Sequence, residues 1–173
     1  MRAFIAGCIA CLVSFGAAAQ DGTIPKEIVG YRTIEVTFSE SAAKCNLKDS
    51  KMFEDHLRRS LADLGISQRE DMYSTVGLAI NAQPFGLLDA QCVTRVEVVF
   101  QTMLGKKNIV TSDERIRQVV DRLGTIPVTF YKDGAFSVQA QTQPAAGGES
   151  TDAQKAALEI IDSIVERLKE RRQ

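Results

Sequence analysis

An alternation of apolar and polar residues runs through residues 92–103 and predicts a strand with one face in a core. The apolar side of the alternation consists of Cys92, Val96, Val98 and Phe100. The other side is polar at Arg95, Glu97 and Gln101, with Val93 and Val99 as exceptions. Because successive side chains of a strand point to opposite faces, we expect this strand to be half exposed.

Two earlier stretches have the same period and are also predicted to be strands. Residues 29–39 place their apolar side chains on one face, namely Ile34, Val36 and Phe38. Residues 74–83 do the same with Val76, Leu78, Ile80 and Ala82. Pro84 and Gly86 are expected to end this second strand. We predict that it pairs antiparallel with the strand at 92–103 and lies parallel to the first strand.

Apolar residues at spacings of three and four predict two amphipathic helices within the domain. The first begins at the N-cap Asp49 and ends at Gly65, and its core face is Met52, Phe53, Leu57, Leu61 and Leu64. The second is capped by Ser112 and ends at Gly124, and its core face is Ile116, Val119, Val120 and Leu123.

A third helix is predicted for residues 151–173, after a linker at 141–150 that has no large apolar residue. Thr151 and Gln154 form a capping box at its start. Its apolar stripe consists of Ala157, Ile160, Ile161, Ile164, Val165 and Leu168. Packing of this stripe on the protein's own sheet is favoured over a partner helix, because the linker is long enough to let the helix fold back.

A hairpin is predicted between the second and third helices. A three-residue loop of Lys132, Asp133 and Gly134 would pair Phe130 with Phe136 and Val128 with Val138. It would also put Gly134 at the left-handed position that such loops favour.

Residues 1–19 are predicted to be a signal peptide, because Arg2 precedes a short apolar run and Ala19 ends a run of small residues. A lipoprotein signal is the alternative, since Ile5-Ala6-Gly7-Cys8 resembles a lipobox with Cys8 as the lipidated residue. The remaining chain is divided into one domain at 20–140, the linker and the terminal helix. We expect a periplasmic or secreted protein.

Cleavage of this leader leaves Cys45 and Cys92 as the remaining cysteines, in a compartment that permits oxidation. We predict a disulfide between them, which stabilises the fold by about 4 kcal/mol in the chain-entropy model. An unpaired catalytic thiol is the alternative, but neither cysteine has a basic partner nearby in the sequence.

Charge and motif content argue against several functional classes. Lys and Arg number 21 against 22 Asp and Glu, so the chain lacks the concentrated basic face of a nucleic-acid binder. The single histidine, His56, has no metal ligand or carboxylate three or four residues away, and we interpret it as a residue at the core edge. Phosphate-loop, serine-hydrolase and zinc motifs are missing from the sequence, so we predict no catalytic residue, metal ligand or cofactor.

These elements predict an α+β fold, with a mostly antiparallel sheet of about five strands, helices on one face and a C-terminal amphipathic helix. The predicted function is an exported, soluble, non-enzymatic binding or accessory module with a protein partner and no membrane span. The alternatives are a small periplasmic enzyme with dispersed catalytic residues and an oligomerising subunit for envelope assembly. Besides the polar sheet face, the expected interaction surface is Phe85, Leu87, Leu88, Ile160, Ile164 and Leu168.

A thiol titration tests the cysteine prediction directly. The mature protein, denatured without reductant, is expected to show no free thiol, because both remaining cysteines are bonded to each other. Addition of a reductant before alkylation provides the positive control. Two free thiols per chain in the unreduced sample would contradict the predicted disulfide.

Overall fold

The computed structural model describes residues 29–86, 91–105, 112–140 and 151–172. Their strands are β1 (Gly30–Tyr31), β2 (Thr33–Phe38), β3 (Ser67–Gln68), β4 (Ser74–Phe85), β5 (Gln91–Gly105) and β6 (Thr125–Ala140). Their helices are α1 (Ser50–Asp63), α2 (Glu114–Leu123), α3 (Asp152–Arg172) and a short 3-10 helix at Ala42–Cys45. The predicted signal peptide and the linker lie outside the described residues.

β2, β4, β5 and β6 form a mixed sheet in that spatial order, while β1 and β3 form a separate parallel pair. β4 pairs antiparallel with β5, and β2 pairs parallel with β4, as the sequence predicts. The apolar sides of β4 and β5 are buried at Val76, Leu78, Ile80, Val96, Val98 and Phe100. The strand that contains Cys92 is therefore an interior strand, and the fold class is α+β.

α1 and α3 cover the apolar face of this sheet. α1 begins at Asp49, whose side chain accepts a hydrogen bond from Met52 N–H at 3.1 Å, and it buries Phe53, Leu57 and Leu61. α3 buries the stripe that contains Ile160, Ile161, Ile164, Val165 and Leu168. Full burial of one such side chain contributes about 1.5–3 kcal/mol, so α3 provides a substantial part of the core.

α3 begins at the predicted capping box. Thr151 N–H donates to Gln154 Oε1 at 2.8 Å, and Gln154 N–H donates to Thr151 Oγ1 at 3.3 Å. The Gln154 side chain also donates to Asn46 O at 3.1 Å. These bonds satisfy amide groups that the first helical turn leaves free, and they tether the start of α3 to the segment before α1.

A disulfide joins Cys45 to Cys92, with 6.0 Å between the two Cα atoms. Both residues are buried in the same core. The bond connects the 3-10 helix that precedes α1 with the first part of β5. It therefore ties an early segment of the chain to the interior of the sheet.

β6 is one strand of 16 residues, so the predicted hairpin at Lys132, Asp133 and Gly134 is wrong. Asp133 pairs with Val98 and Gly134 with Glu97. A Cβ atom at position 134 would lie 2.9 Å from Val96 O, so glycine is required here by the close approach of β5. Because residues 125–140 form a single strand, the main sheet has four strands among the described residues, beside the two-stranded pair of β1 and β3.

A β-bulge at Phe130 changes which side chains of β6 face the core. Phe100 pairs with Tyr131 and the next residue, Gln101, pairs with Thr129, which leaves Phe130 as the extra residue. The rings of Phe130 and Tyr131 both contact Phe100, with centroids 5.9 and 5.8 Å away. Two consecutive aromatic residues thus pack towards the same core, which strict alternation would forbid.

The same bulge exchanges the two faces for the residues that follow it, because the side-chain period of a strand is two. Phe136 consequently lies opposite Arg95, and Val138 opposite Val93, on the face away from α3. The predicted pairing of Phe130 with Phe136 is therefore wrong. Phe130 contacts the core, whereas Phe136 is 73% exposed.

α2 departs from its prediction at both its start and its core face. Its N-cap is Asp113 and not Ser112, because the Asp113 side chain accepts from Arg115 N–H at 2.8 Å. Val120 is buried, but Ile116, Val119 and Leu123 are largely exposed. Thr102 is the last residue of β5 that pairs with β4, whereas β5 and β6 continue to pair as far as Gly105. α2 connects these two strands at the end that extends beyond β4. A helix in that position lacks the sheet surface that α1 and α3 cover.

Gly134→Asn distinguishes a left-handed turn at this glycine from a close approach of β5 to β6. A left-handed turn tolerates asparagine, whereas in the strand its side chain meets Val96 O and Glu97, and we expect a loss of about 1–3 kcal/mol. Gly105→Asn is the control, because a Cβ atom there meets nothing within 4 Å. The free energy of unfolding is measured by urea denaturation. Equal stability of the two variants would contradict the close approach at Gly134.

Candidate functional site

The face of the sheet opposite α1 and α3 carries exposed apolar side chains and is the strongest candidate for a functional surface. Its residues lie in rows across three strands: Asn81, Arg95 and Phe136 form one row, and Gln83, Val93 and Val138 form the next. Phe136 is 73% and Val138 49% exposed. We call these two residues, together with Arg95 and Val93, the open-face cluster.

A groove of about 640 Å³ lies beside the open-face cluster, between β5, β4 and the end of β2. It is lined by Ser39, Ser41, Asn81, Ala82, Gln83, Phe85, Val93 and Arg95. Ser39 and Ser41 Oγ both donate to Ala82 O, and Ala82 N–H donates to Ser39 Oγ at 3.0 Å. These bonds fix the wall of the groove at the end of β2. The lining offers amide, hydroxyl and apolar groups, which suits non-covalent binding.

Two cations of the open face share one carboxylate. Arg95 Nη2 donates to Glu97 Oε1, and Lys132 Nζ lies 3.5 Å from the same oxygen. The Glu97 side chain is 15% exposed, while those of Arg95 and Lys132 are 60% and 57% exposed. Glu97 pairs with Gly134, and its Cγ lies 2.9 Å from the position that a Cβ atom of residue 134 would take. The missing side chain at Gly134 therefore leaves room for Glu97. Arg95, Lys132 and Glu97 together carry a net positive charge. The other members of the open-face cluster are uncharged.

A second polar cluster lies on the helix side of β6 and connects β6 to α3. Asp133 Oδ2 accepts from Arg167 Nε at 2.8 Å and from Tyr131 OH at 3.2 Å. The guanidinium of Arg171 lies 5.7 Å from the centroid of the Tyr131 ring. Each of these groups has a partner on the other element, so the arrangement holds the helix on the strand.

The pKa values in this cluster follow from burial and from its hydrogen bonds. Burial raises the pKa of the Asp133 carboxyl, but the hydrogen bonds from Arg167 and Gly134 N–H outweigh it, so that its pKa is below the ordinary value. Burial, followed by the nearby charge of Asp133, raises the pKa of Tyr131 well above its usual value. Tyr131 therefore stays a neutral donor at physiological pH.

His56 has a partner that the sequence did not reveal. Its Nε2 lies 2.7 Å from Asp162 Oδ1, which connects α1 with α3 across 106 positions of the chain. Ser60 Oγ donates to His56 O at 3.1 Å and lies 3.4 Å from the same carboxylate oxygen. The serine hydroxyl is thus bonded to a backbone oxygen and to the carboxylate. In a nucleophilic triad it would instead be bonded to the imidazole, which the carboxylate orients. His56 lies at the interface of two helices.

The residues predicted as an interaction surface have different positions in the structure. Phe85 lines the groove and is 40% exposed. Leu87 and Leu88 lie outside the described residues. Ile160, Ile164 and Leu168 are buried against the sheet, so they offer no exposed surface. They are needed to cover the apolar side of β5 and β6, which would otherwise face water.

Neither a metal site nor a membrane-spanning helix is present among residues 29–86, 91–105, 112–140 and 151–172. Within these ranges, no group of three or more His, Cys, Asp or Glu side chains is arranged to hold a metal ion. In the same ranges, none of the helices combines the length and the apolar character needed to cross a bilayer.

Comparison with known proteins does not assign the chain to a family. The sequence matches no protein-family model and no curated protein. A minor lipoprotein from Acinetobacter baumannii is 15% identical, with a TM-score of 0.35 over 81% of this chain and 89% of that chain. Rare lipoprotein B from Shewanella oneidensis is 10% identical, with a TM-score of 0.36 over 80% of this chain and 92% of that chain. At these identities and TM-scores, neither structure determines the function of this protein.

Asp133→Asn is expected to weaken the connection between β6 and α3 in a pH-dependent manner. A carboxyl whose pKa is lower in the folded chain stabilises the fold above its unfolded pKa, and this stabilisation is lost as the pH falls through the folded value. We expect a loss of about 1–3 kcal/mol at pH 7 and a smaller difference from the wild type below about pH 4.

Guanidinium denaturation of both proteins at neutral and acidic pH measures this difference. Asp63→Asn is the matched control, because Asp63 is exposed at the end of α1. A difference between Asp133→Asn and the wild type that does not change with pH would contradict an ionised Asp133 as the acceptor.

Proposed function

We propose that this chain is an exported, non-enzymatic accessory protein that binds a partner protein through the open face of its sheet. The observation that carries this proposal is the exposure of Phe136 beside Arg95 and Val93 on a face opposite a complete core. The Phe136 residue is 73% exposed, and removal of its apolar ring from water on binding is favourable. Aromatic and arginine side chains are also enriched at protein interfaces.

Export is supported by residues from two parts of the chain. The N-terminal sequence has the charge, apolar run and small residues of a secretory signal. The domain contains a buried disulfide between Cys45 and Cys92, a kind of bond that persists in oxidising compartments. A periplasmic or secreted protein, with or without a lipid at Cys8, is consistent with both features.

The groove next to Phe85 extends the proposed interface beyond the open-face cluster. Its lining combines the apolar surface of Phe85 and Val93 with the amide side chains of Asn81 and Gln83. Such a mixture provides apolar contact together with a few directional hydrogen bonds, as partner surfaces on proteins do. The alternative is self-assembly through the terminal helix. It has no exposed apolar surface to support it, because the apolar stripe of that helix is buried.

Site-specific photo-crosslinking in the native envelope tests the proposed function. A photoreactive phenylalanine derivative at position 136 is expected to capture a discrete partner protein, because this side chain lies in the proposed interface. The same derivative at Lys51, which is exposed on α1, is the matched control. The cross-linked products are separated by electrophoresis and identified by mass spectrometry. Absence of a product at position 136, or the same products at both positions, would contradict binding through the open face.

A further inference from the structure

The outer edge of β6 has free hydrogen-bonding groups in the described part of the chain. β6 is the last strand of the sheet and pairs with β5 along one edge. In an antiparallel pair, every second residue directs its N–H and C=O away from the neighbouring strand. Among residues 29–86, 91–105, 112–140 and 151–172, no other strand pairs with the outer edge of β6. The second half of β6 therefore offers a row of backbone donors and acceptors, except for Gly134 N–H, which donates to Asp133 Oδ1 at 2.7 Å.

The two halves of β6 differ in how well they are protected against pairing. Proteins discourage additional strands at sheet edges with proline, β-bulges and charged residues. The first half of β6 has Pro127 and the bulge at Phe130. Residues 131–140 contain no proline and no bulge, and they pair regularly with β5. Their two charged residues are Lys132 and Asp133 at the start of this half, and Asp133 is bonded to Arg167 of α3. An incoming strand would thus be disfavoured in the first half and accepted in the second.

The side chains of the second half of β6 also indicate which residues an added strand would need to carry. On the open face they present Lys132, Gly134, Phe136 and Val138 in order along the strand. Within the described ranges, Lys132 and Arg95 share the one carboxylate of Glu97, so a further acidic group would be attracted. Phe136 and Val138 would be covered best by apolar side chains directly opposite them.

We propose that residues 131–140 bind an extended segment of the partner protein as an additional strand of the sheet. This inference rests on the proposed function and adds the mode of recognition. The segment carries two apolar residues at alternate positions, opposite Val138 and Phe136, and an acidic residue four positions beyond the second, opposite Lys132. Hydrogen bonds between the backbones provide the affinity, and the side-chain pattern provides the specificity.

A synthetic peptide with this pattern, Thr-Val-Thr-Leu-Thr-Ser-Thr-Glu-Thr, serves as the probe. Binding of the fluorescently labelled peptide to the mature protein is measured by polarisation. Two further peptides carry N-methyl groups on one or the other alternate set of amides. A strand pairs through one edge only, so one N-methylated peptide is expected to lose binding and the other to retain it.

A charge exchange tests the predicted position of the acidic residue. Lys132→Glu is expected to weaken binding of the peptide about tenfold, and replacement of the peptide's glutamate by lysine is expected to restore it. Lys51→Glu is the matched control and should leave binding unchanged, because Lys51 lies on α1. Thermal unfolding of each variant verifies that it is folded.

Two results would overturn strand addition. One is the absence of binding at peptide concentrations on the order of 1 mM, and the other is an equal effect of the two N-methylated peptides. Photo-crosslinking at position 136 is independent of both. A captured partner together with a failed peptide test would leave the proposed function standing and reject this mode of recognition.

Discussion

A single extra residue at Phe130 determines how β6 presents its side chains. Phe130 and Tyr131 both pack on Phe100, and the contact of three aromatic rings stabilises the bulge that this requires. Beyond the bulge the two faces of β6 are exchanged, so Asp133 is directed towards α3 and Phe136 towards the open face. The connection to the terminal helix and the exposed apolar surface are thus consequences of the same local contact.

The two faces of the sheet differ because one of them is covered by the core. α1 and α3 cover the apolar face, and the disulfide from Cys45 to Cys92 fixes the segment before α1 to β5. Asp133 with Arg167, and His56 with Asp162, hold α3 against the rest of the domain. The opposite face takes no part in these contacts. It carries Phe136, and also Arg95 and Lys132, which share Glu97.

Two failures of prediction concern the candidate site, and both have a physical cause in the sequence pattern. An Asp-Gly pair between apolar segments is a common turn signal, yet Gly134 is needed here because β5 approaches too closely for a side chain. The adjacent aromatic residues Phe130 and Tyr131 interrupt the alternation, and this interruption is a signal for a bulge. An apolar helical stripe has the same sequence pattern whether the same chain or another chain covers it, so the pattern does not reveal that α3 packs on its own sheet.

The sequence by itself determined the α+β class, the parallel and antiparallel pairing of the first three long strands, and the caps at Asp49 and Thr151. The class and the caps depend on contacts between residues that are close in the chain or on a simple period, which a sequence pattern reports. The pairing follows from the rules that govern short connections between successive strands. Tertiary structure alone decided the position of Phe136, the partner of His56 and the exposure of α2. Each of them depends on which distant strand or helix lies opposite a residue, and periodicity along one segment does not contain that information.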